Sequence, residues 1–151
     1  KRERISTAGG KNVSPGPMED VIKRCPLVSQ ALVVGDKRSF ISALITLDED
    51  ALRPWLSKHG LDTGMTMEEA AQNAAVRAEV QKWVDQANEG VSRAESVRKF
   101  IILPEEFSQD NGLMTASMKI IRPRVLKRYN TLLNTQMYTK RKPNPDAQNN
   151  G

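Results

Sequence analysis

The sequence predicts an α+β fold, in which a small central β-sheet is flanked by helices and preceded by a glycine β-hairpin. Two runs rich in β-branched and apolar residues, 28–34 and 40–47, are separated by a Gly-Asp turn and predict paired strands. The apolar run 99–103 predicts a third strand, and helical spacing of apolar residues fills much of the remaining sequence. A chain of 151 residues is long enough for one such domain with a hydrophobic core.

The first residues predict a hairpin followed by a short helix. Ile5 begins a strand, the chain bends at Gly9 and Gly10, and a second strand returns, which gives a hairpin over residues 5–14. The prolines that follow end the strand and preset the φ of a helical first turn. We therefore expect a helix that continues to about Arg24.

The middle of the chain is predicted to be helical. Asp48 caps a helix that ends at Gly60, and Thr66 starts a second helical region. The region from about 63 to 97 is interpreted as an elaboration that contributes packing and no chemistry. Its expected buried stripe consists of Ala70, Ala74, Val80, Trp83, Val84 and Ala87.

An irregular loop, residues 105–121, follows the third strand, and loops on a rigid scaffold commonly carry function. It delivers Lys119 to the start of a helix predicted from 120 to 138, which requires Pro123 to lie in the first turn. Residues 139–151 have almost nothing apolar to bury, so we expect a disordered tail.

Composition narrows the classes of partner without choosing one. The formal charge of +5 favours anionic partners, and nucleotides, coenzyme A, acidic lipid and nucleic acid all stay open. One cysteine and one histidine cannot build a His/Cys metal cluster, so we predict no metal site and a cytoplasmic location. No apolar run is long enough to span a bilayer, and the charged start without Met suggests a piece of a longer protein.

Two segments, 7–12 and 112–122, combine backbone-permissive glycine with basic side chains, which allows close approach to phosphate or carboxylate oxygens. Lys11 follows two glycines in the first segment, and Lys119 ends a flexible stretch in the second. An ordinary hairpin turn and an ordinary surface lysine explain these features equally well. The chain has no phosphate-binding loop of the Gly-x-x-x-x-Gly-Lys type and no nucleophile elbow, so it lacks a self-contained catalytic apparatus.

Other conspicuous residues favour structural interpretations. His59 beside Gly60 suits a helix carboxyl end, and Cys25 suits a small buried apolar group. Trp55 and Trp83 lie on apolar helical faces. A basic run can track phosphates but is more often a solvated helix face; it consists of Arg122, Arg124, Lys127 and Arg128.

Residues 1–20 read Lys-Arg-Glu-Arg-Ile-Ser-Thr-Ala-Gly-Gly-Lys-Asn-Val-Ser-Pro-Gly-Pro-Met-Glu-Asp. This stretch resembles the hinge and glycine-hairpin motif of long-chain acyl-CoA synthetases, which are adenylate-forming enzymes. The likeness continues through 30–36, 42–48 and 113–122, in the order of that family. It implies that residues 1–138 form the mobile carboxy-terminal lid domain, with the hinge near 1–4.

The resemblance implies roles in two successive half-reactions. Lys119 is the lysine that assists formation of acyl-adenylate from a long-chain fatty acid and ATP. ATP and Mg²⁺ are held mainly by a large amino-terminal adenylation domain, the expected partner, and Arg122 is expected to contact phosphate. The hinge falls on Arg2, with Lys1 as the alternative. The hairpin residues that serve thioester formation with coenzyme A are Ala8, Gly9, Gly10 and Lys11.

One departure concerns the final motif, where Ala116 stands in place of the family's common proline and puts the stiffness of the loop in doubt. Two other functions stay open: an acyl-AMP ligase that acts with a carrier protein, and a basic nucleic-acid-binding module. The leading interpretation expects no specific nucleic acid, and it allows peripheral membrane association of the parent enzyme. By itself the lid domain is expected to fold but to be inactive.

Overall fold

The computed structural model describes residues 3–139 and confirms the predicted α+β class. A short hairpin, β1 (Ile5–Ser6) and β2 (Asn12–Val13), leads into α1 (Pro15–Ile22). Next come β3 (Val28–Val34) and β4 (Ile41–Leu47), the pair of strands predicted from the sequence. The predicted tail over 139–151 lies outside the described residues, apart from Thr139.

The main sheet has the strand order β3-β4-β5, where β5 spans Val97–Leu103. β3 and β4 are antiparallel, with Ala31 opposite Ile45, whereas β4 and β5 are parallel, with Ile45 opposite Ile102. A parallel pair needs a long crossover. Three helices supply it: α2 (Glu49–Lys58), α3 (Met67–Gln72) and α4 (Ala74–Asn88).

The sheet separates two hydrophobic cores. Every residue of β4 is buried, and because side chains alternate along a strand, Ala43 and Ile45 point into one core while Leu44 points into the other. The first core contains the apolar residues of α1 to α4. The second contains Leu103, Phe107, Leu113, Met114, Val125, Leu133 and Met137.

The predicted signals for α2 are confirmed. The Asp48 carboxylate accepts hydrogen bonds from the N–H groups of Asp50 and Ala51, and the helix ends where Gly60 adopts a φ of 69°. His59 caps the carboxyl end, and its ring stacks on that of Trp55 with centroids 4.1 Å apart.

The second helical region is broken at Asn73, which the sequence did not indicate. The Asn73 side chain accepts hydrogen bonds from two N–H groups at the start of α4 and so begins a new helix. Ala74, expected in the buried stripe, is exposed because it lies in this first turn; Val76 is buried instead. Trp83 is only partly buried against the first core. The remaining stripe residues are buried as predicted: Ala70, Val80, Val84 and Ala87.

The single helix predicted from 120 to 138 is wrong. The structure has α5 (Arg122–Arg128), a short α6 (Asn130–Leu132) and a π-helical turn (Leu133–Met137), with Pro123 in the first turn of α5 as expected. Directly after the π turn, the Tyr138 hydroxyl contacts the hydroxyl of Ser42, a buried polar residue of β4, at 2.6 Å.

No helix within the described residues is both long enough and apolar enough to cross a membrane.

Candidate functional site

The glycine hairpin closes through a five-residue turn, Thr7 to Lys11. The N–H of Thr7 donates to the carbonyl of Lys11 at 2.9 Å, and the N–H of Gly10 donates to the carbonyl of Thr7 at 2.9 Å. A third bond runs from the N–H of Lys11 to the Thr7 hydroxyl oxygen at 3.1 Å. Gly10 has a φ of 85°, a conformation that favours glycine, as in hairpin loops of this length.

The four hairpin residues singled out in the sequence lie together on the surface. Ala8, Gly9, Gly10 and Lys11 are all exposed. A Cβ added at Gly9 or Gly10 would meet no atom within 4 Å, so the glycines are not required by packing within this chain. The turn therefore exposes backbone without side chains, next to Lys11, where a ligand or a partner domain can approach closely.

The turn between β3 and β4 holds the hairpin from its other side. The N–H of Ser6 donates to the Asp36 carboxylate at 3.1 Å, and the Ser6 carbonyl accepts from the N–H of Lys37 at 2.7 Å. The N–H of Ala8 donates to the carbonyl of Arg38 at 2.8 Å. Because these bonds join two turns, the hairpin is fixed relative to the main sheet.

Lys11 lies beside an acidic side chain. Its ammonium is 3.8 Å from the Glu95 carboxylate, and 48% of the lysine side chain is exposed, so this contact leaves the cation accessible. A hydrogen bond from the Ser92 hydroxyl, and then the charge of Lys11, lowers the pKa of Glu95. Glu95 thus supplies a negative neighbour when Lys11 has no other anion to contact.

Lys119 ends a second five-residue turn, which begins at Thr115. The N–H of Thr115 donates to the carbonyl of Lys119 at 2.8 Å, and the N–H of Met118 donates to the carbonyl of Thr115 at 2.9 Å. The N–H of Lys119 donates to the Thr115 hydroxyl oxygen at 3.1 Å. Lys119 is exposed, and Ala116, the departure from the family motif, lies within the turn.

The rest of the 105–121 loop is more ordered than its sequence indicated. The Asn111 side-chain oxygen accepts from the N–H of Ser108 at 3.0 Å and from that of Leu113 at 3.2 Å, and its amide donates to the carbonyl of Glu106 at 2.9 Å. Leu113 and Met114 are each 3% exposed and anchor the loop in the second core. The Lys119 turn therefore projects from a fixed base.

Arg122 joins the Lys119 loop to α1 and to the edge of β3. Its guanidinium donates to the Glu19 carboxylate at 2.9 Å and to the carbonyl of Val33 at 2.8 Å, while Glu19 accepts the N–H of Val33 at 2.8 Å. The two charged side chains are 17% and 16% exposed. The pair thus satisfies an otherwise open strand edge, a role that the sequence did not indicate; the phosphate contact of Arg122 stays a prediction.

The remainder of the basic run also makes contacts within the chain. Arg124 donates to the carbonyl of Gly112 at 3.0 Å, and Arg128 lies 2.7 Å from the Glu105 carboxylate, whose charge raises the pKa of Arg128. Burial, and then a 2.6 Å hydrogen bond to Glu105, raises the pKa of Tyr129. Because Arg124 and Arg128 make these contacts within the chain, fewer side chains of the basic run are available to bind phosphates than the sequence pattern indicates.

The other residues considered in the sequence have the structural environments expected of them. Cys25 is 2% exposed, and burial raises the pKa of its thiol. Within residues 3–139, no group of three or more His, Cys, Asp or Glu side chains is arranged to hold a metal. The predicted hinge residue Arg2, and Lys1, lie outside the described residues.

The two turns are anchored on opposite faces of the main sheet. Ile5 and Val13 place the base of the glycine hairpin in the first core, and Leu113 and Met114 place the base of the Lys119 loop in the second. The structure therefore does not combine the two turns into one pocket. It presents two separate candidate surfaces, linked through the ion pair that Arg122 forms with α1.

Comparison with protein families gives a match over almost the whole chain. A sequence model of the family described as AMP-binding enzyme C-terminal domain matches residues 2–142. The matched stretch contains both turns and the whole main sheet.

Two curated proteins illustrate the relationship. The chain is 45% identical over 129 residues to the long-chain-fatty-acid–CoA ligase FadD15 of Mycobacterium tuberculosis, a match that covers 85% of this chain and 22% of that protein. It is 34% identical over 149 residues to the long-chain-fatty-acid–CoA ligase ACSBG2 of Gallus gallus, covering 87% of this chain and 20% of that protein. The chain therefore spans only 20% to 22% of the length of these relatives.

Solved structures give the same fold. The A-PCP didomain of carboxylic acid reductase from Segniliparus rugosus, in complex with AMP, matches with a TM-score of 0.64 and 26% identity over 87% of this chain and 17% of that chain. The adenylation domain of a carboxylate reductase from Mycobacterium chelonae matches with a TM-score of 0.64 and 23% identity, over 86% of this chain and 18% of that one. The second likeness concerns the fold alone.

Proposed function

The chain belongs to the AMP-binding enzyme C-terminal domain family, and from this we propose that it is the mobile carboxy-terminal domain of an ATP-dependent long-chain fatty acid–CoA ligase. The names of the two curated relatives support the reaction and the substrate class. The observation that carries the proposal is the exposed Lys119, presented by a closed turn on an anchored loop. The amino-terminal adenylation domain of the same chain is the proposed partner.

In the first half-reaction, a fatty-acid carboxylate oxygen attacks the α-phosphorus of ATP, and pyrophosphate leaves. Both reactants are anions, and negative charge gathers around the reacting oxygens. The ammonium of Lys119 offsets this repulsion and stabilises the transition state, an effect worth about 10² to 10³ in rate. ATP and Mg²⁺ are assigned to the amino-terminal domain.

In the second half-reaction, the thiolate of coenzyme A attacks the acyl carbonyl carbon of the adenylate, and AMP leaves. We assign Ala8, Gly9 and Gly10 to the surface along which the thiol arm approaches, since backbone without side chains permits a close approach. The ammonium of Lys11 contacts the phosphates of coenzyme A, and this contact replaces the one it makes with Glu95. Rotation between the two states is assigned to the hinge at Arg2.

Arg122 has two proposed functions in this scheme. Its bonds to Glu19 and Val33 support a positioning role, because they fix the segment that directly follows Lys119. A phosphate contact in the complete enzyme stays a prediction. Peripheral membrane contact of the parent enzyme, in the cytoplasm, is likewise a prediction.

The alternatives are not favoured. A carrier-protein acceptor has no support in the names of the two curated relatives, both of which are CoA ligases. A nucleic-acid-binding module would use the basic run, but Arg122 and Arg128 are paired with Glu19 and Glu105.

The proposal is tested in the parent enzyme carrying Lys119→Ala, with the two half-reactions measured separately. Acyl-adenylate formation from ATP and fatty acid is expected to fall by about 10² to 10³, since one charge that stabilises the transition state is lost. Thioester formation from supplied acyl-adenylate and coenzyme A is expected to proceed at close to the rate of the unmodified enzyme. Lys127→Ala serves as the control, because Lys127 is an exposed lysine eight positions further along the same part of the chain.

An unchanged adenylation rate in Lys119→Ala would make Lys119 an ordinary surface lysine and refute its assigned role. Equal loss in both half-reactions would point to general damage, which the Lys127→Ala control and a thermal unfolding curve would identify.

A further inference from the structure

The glycine hairpin and the Lys119 loop are built on the same turn. The first reads Thr-Ala-Gly-Gly-Lys, residues 7–11, and the second reads Thr-Ala-Ser-Met-Lys, residues 115–119. Each begins with threonine, continues with alanine and ends with lysine. In each, the residues just outside the turn pair antiparallel: Ser6 with Asn12, and Met114 with Ile120.

The hydrogen bonds of the two turns correspond one to one. The bond from the first residue's N–H to the fifth residue's carbonyl measures 2.9 Å in the first turn and 2.8 Å in the second. The bond from the fourth residue's N–H to the first residue's carbonyl measures 2.9 Å in both. The bond from the lysine N–H to the threonine hydroxyl oxygen measures 3.1 Å in both. In addition, the fourth residue has a positive φ in each, 85° at Gly10 and 65° at Met118.

The threonine hydroxyl is the one side-chain group that acts on the lysine backbone in each turn. By accepting the lysine N–H, it fixes the peptide plane that precedes the lysine. Together with the bond that the lysine carbonyl accepts from the threonine N–H, this restrains the direction in which the lysine side chain leaves the backbone. Short local bonds of this type from threonine are a known way of fixing a turn. Valine has the same shape as threonine but cannot accept the bond.

We propose that Thr7 and Thr115 are positioning residues, each of which orients the lysine of one of two equivalent turns. Thr115 aims Lys119 for adenylate formation, and Thr7 orients Lys11 and the glycine backbone for thioester formation. This inference rests on the proposed function for its consequences in the reaction. The similarity of the two turns in sequence and hydrogen bonding does not depend on that function.

The two turns differ in what surrounds the threonine. The Thr115 hydroxyl also lies 3.1 Å from the hydroxyl of Ser117, whereas Gly9 occupies the equivalent position in the first turn and has no side chain. Since Thr115 accepts the N–H of Lys119, its own proton is free to be donated to Ser117. The Lys119 turn thus has one more contact between its own residues, whereas the glycine turn is held from outside by the bond from the N–H of Ala8 to the carbonyl of Arg38.

The test compares Thr7→Val, Thr115→Val and the corresponding serine variants in the full-length parent enzyme. Thr115→Val is expected to slow adenylate formation about tenfold, because a small misplacement of a catalytic group has effects of this order, and to slow thioester formation less. Thr7→Val is expected to show the reverse pattern. Serine retains the acceptor oxygen, so each serine variant is expected to recover to within about threefold of the unmodified rate. Thr135→Val, which removes another exposed hydroxyl with one backbone bond, is the control.

A second readout does not depend on the reaction. Hydrogen–deuterium exchange of the parent enzyme, followed by mass spectrometry, is expected to show faster exchange across 115–121 in Thr115→Val and across 5–13 in Thr7→Val. The serine variants are expected to restore protection. The effect of each substitution is expected to stay within its own turn.

The positioning role is overturned if a valine variant loses the local protection yet keeps both half-reaction rates, or if serine fails to rescue. It is also overturned if both half-reactions slow equally, because that result indicates general destabilisation. Failure of the proposed function is distinguished by Lys119→Ala in the same assays: an unchanged adenylation rate there refutes the role of the lysine itself, whatever the threonine variants do.

Discussion

At the scale of single residues, Met118 stands out because its backbone conformation suits glycine better than methionine. Its φ is 65° and the residue is 62% exposed, so little burial within the chain offsets the strain. The equivalent position in the glycine hairpin is Gly10. The exposed side chain directly precedes Lys119, where it is available to contact the adenylation domain of the proposed parent enzyme.

Met118→Gly is therefore expected to stabilise the chain. Relief of about 1 to 2 kcal/mol of left-handed strain is partly offset by about 0.4 to 1 kcal/mol of added entropy in the unfolded chain, so the free energy of unfolding is expected to rise by about 1 kcal/mol. Urea denaturation measures the change. Gly10→Ala is the reciprocal variant and is expected to lower stability; a loss in Met118→Gly would contradict the strain argument.

Tyr138 is a second residue whose environment has a measurable consequence. Its hydroxyl lies 2.6 Å from that of the buried Ser42 and donates to the carbonyl of Phe40 at 2.9 Å. Burial raises the pKa of Tyr138. The folded protein therefore holds this proton more tightly than the unfolded chain does. This contribution to stability is complete below the unfolded pKa of about 10 and is lost as pH rises above it.

Tyr138→Phe is expected to lower the free energy of unfolding at neutral pH by about 1 to 3 kcal/mol, because the buried Ser42 hydroxyl loses its partner. The variant is also expected to lose less stability than the unmodified chain between about pH 9 and pH 11. Urea denaturation at a series of pH values tests both points. Tyr129, whose pKa is raised as well, is expected to preserve part of the alkaline slope, so an identical slope in both proteins would contradict the assignment to Tyr138.

Some candidate site residues can be picked out from the sequence, and others cannot, for a physical reason. Lys119 and the hairpin glycines lie in contiguous motifs that a reader of the sequence can recognise. Glu19 and Arg122 are 103 positions apart, so no local pattern reveals their bond. The threonine hydroxyls are not predictable for a different reason: the sequence does not show the backbone bonds that make the two distant turns alike.

At the scale of elements, the ion pair between Glu19 and Arg122 connects α1, β3 and α5. Both side chains are mostly buried, and together they satisfy the N–H and carbonyl of Val33 at the sheet edge. Removal of either partner leaves the other charge without its counter-ion, and one backbone group of Val33 without its hydrogen bond, in a poorly solvated place. Such losses exceed those of exposed pairs.

Arg122→Ala is expected to lower the free energy of unfolding by about 2 to 3 kcal/mol. In a double-mutant cycle with Glu19→Ala, the combined loss is expected to be smaller than the sum of the single losses, because the partners are coupled. Lys82→Ala is the control: this lysine pairs with Glu79 but is 71% exposed, and a loss below about 1 kcal/mol is expected. Equal losses in Arg122→Ala and Lys82→Ala, measured by urea denaturation, would show that the buried pair adds little.

Elements with local start and stop signals were predicted well. β3, β4 and α2 agree with the sequence because strand pattern, turn and cap residues all lie next to one another. The break at Asn73 is not predictable from the local sequence, because an asparagine within a helical pattern caps a new helix only if the chain bends there. The π turn after α6 has no local sequence signal either; its two buried residues, Leu133 and Met137, pack in the second core.

At the scale of the whole molecule, the sheet divides two cores, and each core supports one of the two equivalent turns. The sequence predicted three strands and flanking helices but not the parallel direction of β5, which depends on where the crossover helices pack. It also did not predict the division into two cores. That division supports the proposal of a domain that presents one face at a time to the same partner.

The overall charge of +5 is compatible with several kinds of anionic partner. The structure shows which basic side chains are exposed to contact such a partner. Three residues of the basic run already have partners within the chain. Arg122 pairs with Glu19, Arg128 pairs with Glu105, and Arg124 donates to the carbonyl of Gly112. Lys11 and Lys119 remain exposed at the two turns. The positive charge that matters for the proposed reactions is therefore local, at two points, rather than a broad surface.

The parallel pairing of β4 with β5 also governs the order in which the chain folds. β3 and β4 are joined by a short turn and can pair early, whereas β5 docks only after residues 48–96 have been synthesised and closed into the crossover. Until then, one edge of the wholly buried and mostly apolar β4 stays open. A ribosome-bound chain that stops before Val97 is thus a candidate for edge-to-edge aggregation, and chaperone demand is expected to peak at that stage of translation.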